Sequence, residues 1–107
     1  MADYQRYIHR LEESKGWLDV DLVHNCFLMG EEVGELFKAI RQHNRYYDEG
    51  GAARDSNPAE RKQAVAEELV DVFNYVLALA NRLEIDMEQA FRAKNARNQE
   101  RVWSAPS

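Results

Sequence analysis

Apolar residues recur at helical spacing along most of the chain, and no segment alternates as a strand does, so the fold class is all-α. A first helix starts after Asp3, with Tyr4, Tyr7, Ile8 and Leu11 as its apolar stripe, and ends near Gly16. A second runs from about Asp21 to His43, with Cys26, Met29, Val33, Leu36, Phe37 and Ile40 on one face. From Asn44 to Ser56 the periodicity stops and Gly50 and Gly51 appear, which predicts an exposed loop carrying Arg45, Tyr46, Tyr47 and Arg54. Asn57, Pro58 and Glu60 then form a helix start signal, an N-cap followed by proline and a capping-box acid. The third helix continues to about Leu83. From Leu69 to Ala80 it is apolar except for Asp71, Asn74 and Tyr75, which predicts burial on nearly all sides. A fourth helix begins at Asp86, with Gln89 at the capping-box position, and runs toward Arg101 before a frayed 102–107 tail.

Composition narrows the class. A length of 107 residues suits one domain, residues 1–107. No apolar run is long enough for a membrane span and no secretory signal pattern opens the chain, so a cytoplasmic protein is expected. Cys26 is the single cysteine; beside Phe27 and Leu28 it reads as a buried packing residue, and redox chemistry is not expected. The net charge of -5 argues against binding a nucleic-acid polymer. Any phosphate ligand then needs a metal or a local basic cluster.

Acidic residues supply the candidate metal site. Glu32 and Glu35 on the second helix, and Glu68 and Asp71 on the third, are each three residues apart, so each pair projects from one side of its helix. The loop between the helices lets them pack antiparallel and bring the pairs together. Glu12, Glu13, Glu60 and Glu88 read instead as solvated helix residues. Asp71 lies between Val70 and Val72, and no Lys or Arg occurs between Gln63 and Asn81. A buried, unpaired carboxylate there costs several kcal/mol and calls for a cation. Four oxygen donors without a Cys/His cluster favour Mg²⁺, with Mn²⁺ the alternative, and magnesium shares its coordination with phosphate oxygens. Setting the four aside changes the formal charge from -5 to -1.

The fourth helix carries a stripe that turns from apolar to cationic. Met87, Ala90 and Phe91 define it as inward, and Lys94, Asn98 and Arg101 continue it, while Arg97 lies off the line. Two readings stand: the cations snorkel into water beyond the core edge, or they contact phosphate oxygens opposite the acids.

The segment GEEVGELFKAIRQH, followed by AEELVDVFNYVLALANRLEIDMEQAFRAKNARNQERVW, resembles the MazG-like nucleoside triphosphate pyrophosphohydrolases of the all-α NTP pyrophosphatase superfamily, over about residues 17 to 103. The signature E-E-x-x-E then E-x-x-D falls on Glu31, Glu32, Glu35, Glu68 and Asp71, and the later K-x-x-x-N-x-x-R on Lys94, Asn98 and Arg101. The resemblance implies that Glu32, Glu35, Glu68 and Asp71 are both catalytic residues and Mg²⁺ ligands, and that Lys94, Asn98 and Arg101 bind the triphosphate. It also implies a four-helix bundle completed as a homodimer or homotetramer, with sites partly finished by a neighbouring subunit. Relatives hold the base ahead of the first acidic pair, where Trp17, His24 and Asn25 stand here. Trp17 also reads as a hydrophobic staple, and His24 as an exposed helix residue.

The expected activity is Mg-dependent hydrolysis of ribo- or deoxyribonucleoside triphosphates to monophosphate and pyrophosphate, in nucleotide-pool house-cleaning. A water is the nucleophile, oriented or deprotonated by Glu35 or Glu32. Phosphoribosyl-ATP pyrophosphatase is the alternative enzyme. A catalytically silent helical module that binds metal or nucleotide is the alternative from another class.

Overall fold

The computed structural model describes residues 1–44 and 57–101. The expected loop, with Arg45, Tyr46, Tyr47 and Arg54, and the 102–107 tail lie outside the described residues. Among the described residues there are four helices and no strand: α1 Ala2–Lys15, α2 Leu22–Asn44, α3 Pro58–Arg82 and α4 Met87–Glu100. The boundaries follow local chemistry. Asp21 Oδ1 accepts from the Val23 N–H at 3.0 Å at the start of α2, Asn57 Oδ1 from the Glu60 N–H at 2.8 Å at α3, and Asp86 Oδ1 from the Gln89 N–H at 3.1 Å at α4. Each oxygen satisfies a donor that a helix leaves orphaned at its first turn. At the end of α1, Gly16 takes φ 73°, a left-handed value that glycine adopts without a Cβ penalty, and the Trp17 N–H reaches back to Glu12 O at 2.8 Å.

The most extensive contact is between α2 and α3, followed by α1 on α3. α2 and α3 are antiparallel: Val20, just before α2, meets Arg82 at the end of α3, and Glu32 meets Glu68 further along. Ile8, Leu77 and Ala78 form the buried core, with Met1, Leu11, Phe73 and Met87 packed against it. Tyr4 adds an edge-to-face contact with Phe73 at 6.3 Å. α4 packs chiefly on α1 and has little contact with α2 or α3. It is held at its start by Gln5, whose Oε1 accepts from the Met87 N–H at 3.0 Å and whose Nε2 donates to Ile85 O at 2.8 Å and Asn81 Oδ1 at 3.1 Å.

Several faces differ from the sequence expectation. Hydrophobic periodicity finds apolar stripes, while on α1 polar residues with fixed partners, Gln5 and Glu12, take the buried face instead, and elsewhere one chain leaves apolar surface open. On α1 the buried face is Gln5, Ile8 and Glu12, while Tyr4 and Tyr7 are exposed. On α2 the packed face runs through Asn25, Met29, Glu32, Val33, Leu36 and Ala39; Cys26, Phe37 and Ile40 are exposed, so Cys26 is not a buried packing residue. α3 is fully buried only toward its end, at Leu77, Ala78 and Ala80, and Leu69 and Val70 are each more than half exposed. Glu12 is not a solvated residue but 6% exposed. The radius of gyration is 17.4 Å, against about 13 Å for a compact chain of this length. One chain alone leaves these apolar faces uncovered.

Candidate metal and phosphate site

Three of the four expected acids come together. Carboxylate oxygens of Glu32 on α2 and of Glu68 and Asp71 on α3 all lie within 4.8 Å of one another. The antiparallel packing produces this: the i, i+3 spacing of Glu68 and Asp71 turns both toward α2, where Glu32 occupies the packed face. Glu35 is exposed and outside the trio, yet close enough for its charge to act on Glu32. Glu31 is exposed as well.

Electrostatic strain at the trio is read most clearly at Glu32. Burial, the Asp71 charge, a hydrogen bond with Glu68, and the charges of Glu68 and Glu35 all hold its carboxyl above the ordinary glutamate value. Oε2 of Glu68 is shut off from solvent with no hydrogen-bond donor. The strain does not come from the source expected at Asp71, which is exposed and needs no cation on grounds of burial. It comes from crowding at Glu32 and the orphaned oxygen of Glu68. Converging carboxylates, one with an unused buried oxygen, fit a hard divalent cation such as Mg²⁺ or Mn²⁺.

A cavity of about 480 Å³ adjoins the trio. Glu32 and Asp71 line it at one side, Glu12, Trp17, Val20 and Asn25 at another, with Asn74 and Tyr75 also on its wall. Burial, followed by the charges of Glu32, Glu31, Asp71 and Glu12, pushes the Tyr75 hydroxyl up. Two of the three expected base-side residues, Trp17 and Asn25, line the cavity; His24 is exposed and does not.

The α4 stripe is not inward in the single chain. Ala90, Phe91, Lys94 and Arg101 are exposed, and Asn98 is half-buried, its Nδ2 donating to Asn95 Oδ1 at 3.2 Å. α4 rests on α1, and its backbone barely touches the acid-bearing helices in one chain.

Sequence reasoning missed Glu12 and its partner. Arg82 donates from Nη1 to Glu12 Oε2 at 2.8 Å, from Nη2 to Trp17 O at 2.9 Å and from Nε to Val20 O at 3.2 Å, clamping the corner between α1 and α2 against α3. The available signal was spacing, since Glu12 lies four residues beyond Ile8 and seven beyond Gln5 on one helical face.

A family model described as the MazG nucleotide pyrophosphohydrolase domain matches residues 25–103. A curated protein of Bacillus subtilis (strain 168), "Uncharacterized protein YvdC", is 31% identical over 94 residues, covering 87% of each chain. No solved structure matches. The matched span includes both acidic pairs and the α4 stripe, and leaves out α1, which supplies Glu12.

Proposed function

The chain belongs to the MazG nucleotide pyrophosphohydrolase family, and on that premise we propose that it hydrolyses nucleoside or deoxynucleoside triphosphates to the monophosphate and pyrophosphate. The supporting observation is the convergence of Glu32, Glu68 and Asp71 within 4.8 Å at the edge of a 480 Å³ cavity. Glu32, Glu68 and Asp71, with Glu35 beside them, would hold Mg²⁺ or Mn²⁺. A divalent cation there supplies charge neutralisation for the triphosphate and the phosphoryl transition state.

The chain's own groups supply the rest. Glu35, exposed next to the trio, positions a water and takes its proton as the water oxygen bonds to phosphorus. The bridging P–O bond between the α- and β-phosphates breaks, and pyrophosphate leaves with the electron pair. Trp17 and Asn25 bound the cavity where the base sits, and exposed His24 is not on its wall. Lys94, Asn98 and Arg101 bind the phosphate oxygens.

Since α4 stands away from the trio in one chain, those three act across a homodimer or homotetramer. Phe27 (70% exposed), Phe37 (66%) and Phe91 (60%) are apolar surface for such an association to cover. Among the described residues no helix is long and apolar enough to cross a membrane. House-cleaning of a cytoplasmic nucleotide pool is the role that suits this chemistry.

The experiment is product analysis with a panel of NTPs and dNTPs in Mg²⁺. Monophosphate with equimolar pyrophosphate is expected. Orthophosphate alone, or no turnover of any nucleotide, overturns the proposal.

A further inference from the structure

Glu12 carries more hydrogen-bonding capacity than its structural role uses. Its side chain is 8% exposed, and Arg82 occupies only Oε2; Oε1 is buried without a donor among the described residues. Holding the α1–α2 corner requires Oε2 alone. Leaving a second carboxylate oxygen unsatisfied is costly in a folded chain unless a ligand fills it. Glu12 is on the wall of the same cavity that reaches Glu32 and Asp71. The last torsion of a glutamate is broad, so a small rotation that leaves Oε2 on Arg82 can present Oε1 to the cavity.

Asn25 presents the same chemistry beside it. It is 4% exposed, and its Nδ2 donates to Val20 O at 3.2 Å and Asp21 O at 3.3 Å. Both amide hydrogens are therefore committed to backbone, and Oδ1 remains as an acceptor on the cavity wall. The half-exposed ring of Trp17 offers a stacking face at the same end.

We infer that Glu12 Oε1 and Asn25 Oδ1 form an acceptor pair that reads the nucleobase, selecting bases that carry an exocyclic amino group (cytosine, adenine, guanine) over thymine and uracil. The assignment rests on the nucleoside triphosphate reading of the site. An amino group brings two hydrogens for two acceptors. The one N–H of thymine or uracil is flanked by carbonyl oxygens, which would face the carboxylate and leave an acceptor unpaired. Arg82 keeps its own hydrogen bond to Oε2 throughout, so the base is read without loosening the corner.

The test is calorimetric binding of α,β-imido analogues of dCTP, dATP, dGTP, dTTP and dUTP with Mg²⁺, for the wild type and Glu12→Gln, alongside turnover of the natural nucleotides. The wild type is expected to bind at least one amino-bearing analogue about 10- to 100-fold tighter than the thymine and uracil analogues. In Glu12→Gln the side-chain carbonyl stays with Arg82 and turns an NH2 toward the cavity, so that preference collapses or reverses. Equal wild-type affinity for all five, or a uniform loss in the variant with the base ratio unchanged, overturns the assignment. The wild-type comparison stands by itself if the variant does not fold. Base-selective binding without turnover would reject the catalytic reading and keep this one; pyrophosphate release at one rate from every base would do the reverse.

Discussion

Removing the Arg82 guanidinium should be the most damaging single change on the α1–α3 side. In Arg82→Met the apolar stem is largely kept, but the ion pair with Glu12 at 2.8 Å goes together with the bonds to Trp17 O at 2.9 Å, Val20 O at 3.2 Å and, weakly, Ala78 O at 3.4 Å. With side-chain exposures of 15% for Arg82 and 8% for Glu12, water cannot replace the ion pair well. Breaking such a pair from one side leaves a buried charge uncompensated and costs about 3–5 kcal/mol. The Trp17 and Val20 carbonyls add about 1 kcal/mol each at most, since the corner sits near solvent and can partly rehydrate. Against a typical domain stability of roughly 5–15 kcal/mol the loss is large. At about 4–8 °C per kcal/mol for a domain of this size, Tm should fall by more than about 12 °C. Thermal and urea melts at one fixed protein concentration measure it, because association would make Tm concentration-dependent. The double variant Glu12→Leu with Arg82→Met should recover most of the ion-pair share, since an apolar pair of similar volume strands no charge. Single variants that melt within about 4 °C of the wild type, or a double variant no better than Arg82→Met, would refute the reasoning.

Other expectations concern the trio and the caps. Glu68→Gln should lower kcat at least about 100-fold with helicity by circular dichroism unchanged, because it removes charge from the trio and adds no bulk. Glu32 has a folded-state pKa above its ordinary 4.5, so its protonated form is favoured by the fold. Its contribution to stability is therefore full below about pH 4.5 and lost as pH rises through the raised value. In metal-free melts from pH 4 to 8, Glu32→Gln should show less of that alkaline-side loss than the wild type; identical pH profiles would contradict it. Since a ligand carboxylate must be deprotonated, the Tm gain from a fixed Mg²⁺ concentration should grow over the same pH rise, and a gain independent of pH would count against the site. Asn57→Ala should cost about 1 kcal/mol in urea melts through the lost 2.8 Å cap to the Glu60 N–H.

The helices, their order and their starts were legible because they are written in local chemistry. The Asn57 and Asp86 start signals and the Gly16 terminator act within three or four residues, so reading along the chain finds them. Three of four acids were legible for the same reason: the i, i+3 pairs and an antiparallel return suffice to juxtapose them. What was not legible depends on partners far apart in sequence. Glu12 is an ordinary helix glutamate until Arg82, 70 residues on, is known to face it. Gln5 likewise buries itself only because Asn81, Ile85 and Met87 accept and donate there. Asp71 misled in the opposite direction. Its apolar neighbours Leu69 and Val70 are exposed in one chain, so they do not report a buried environment for it. The inward face expected of the α4 stripe is likewise not seen in one chain, where Phe91 is exposed.

The central claim is that the trio acts on the bond between the α- and β-phosphates. Following one turnover by ³¹P NMR in ¹⁸O-labelled water, with Mg²⁺ and the nucleotide the chain binds best, tests it most directly. The account predicts equimolar monophosphate and pyrophosphate, with ¹⁸O in one of them and none in orthophosphate, and no reaction once a chelator is added. Nucleoside diphosphate with labelled orthophosphate, or the same products at an undiminished rate from Glu68→Gln, would contradict it.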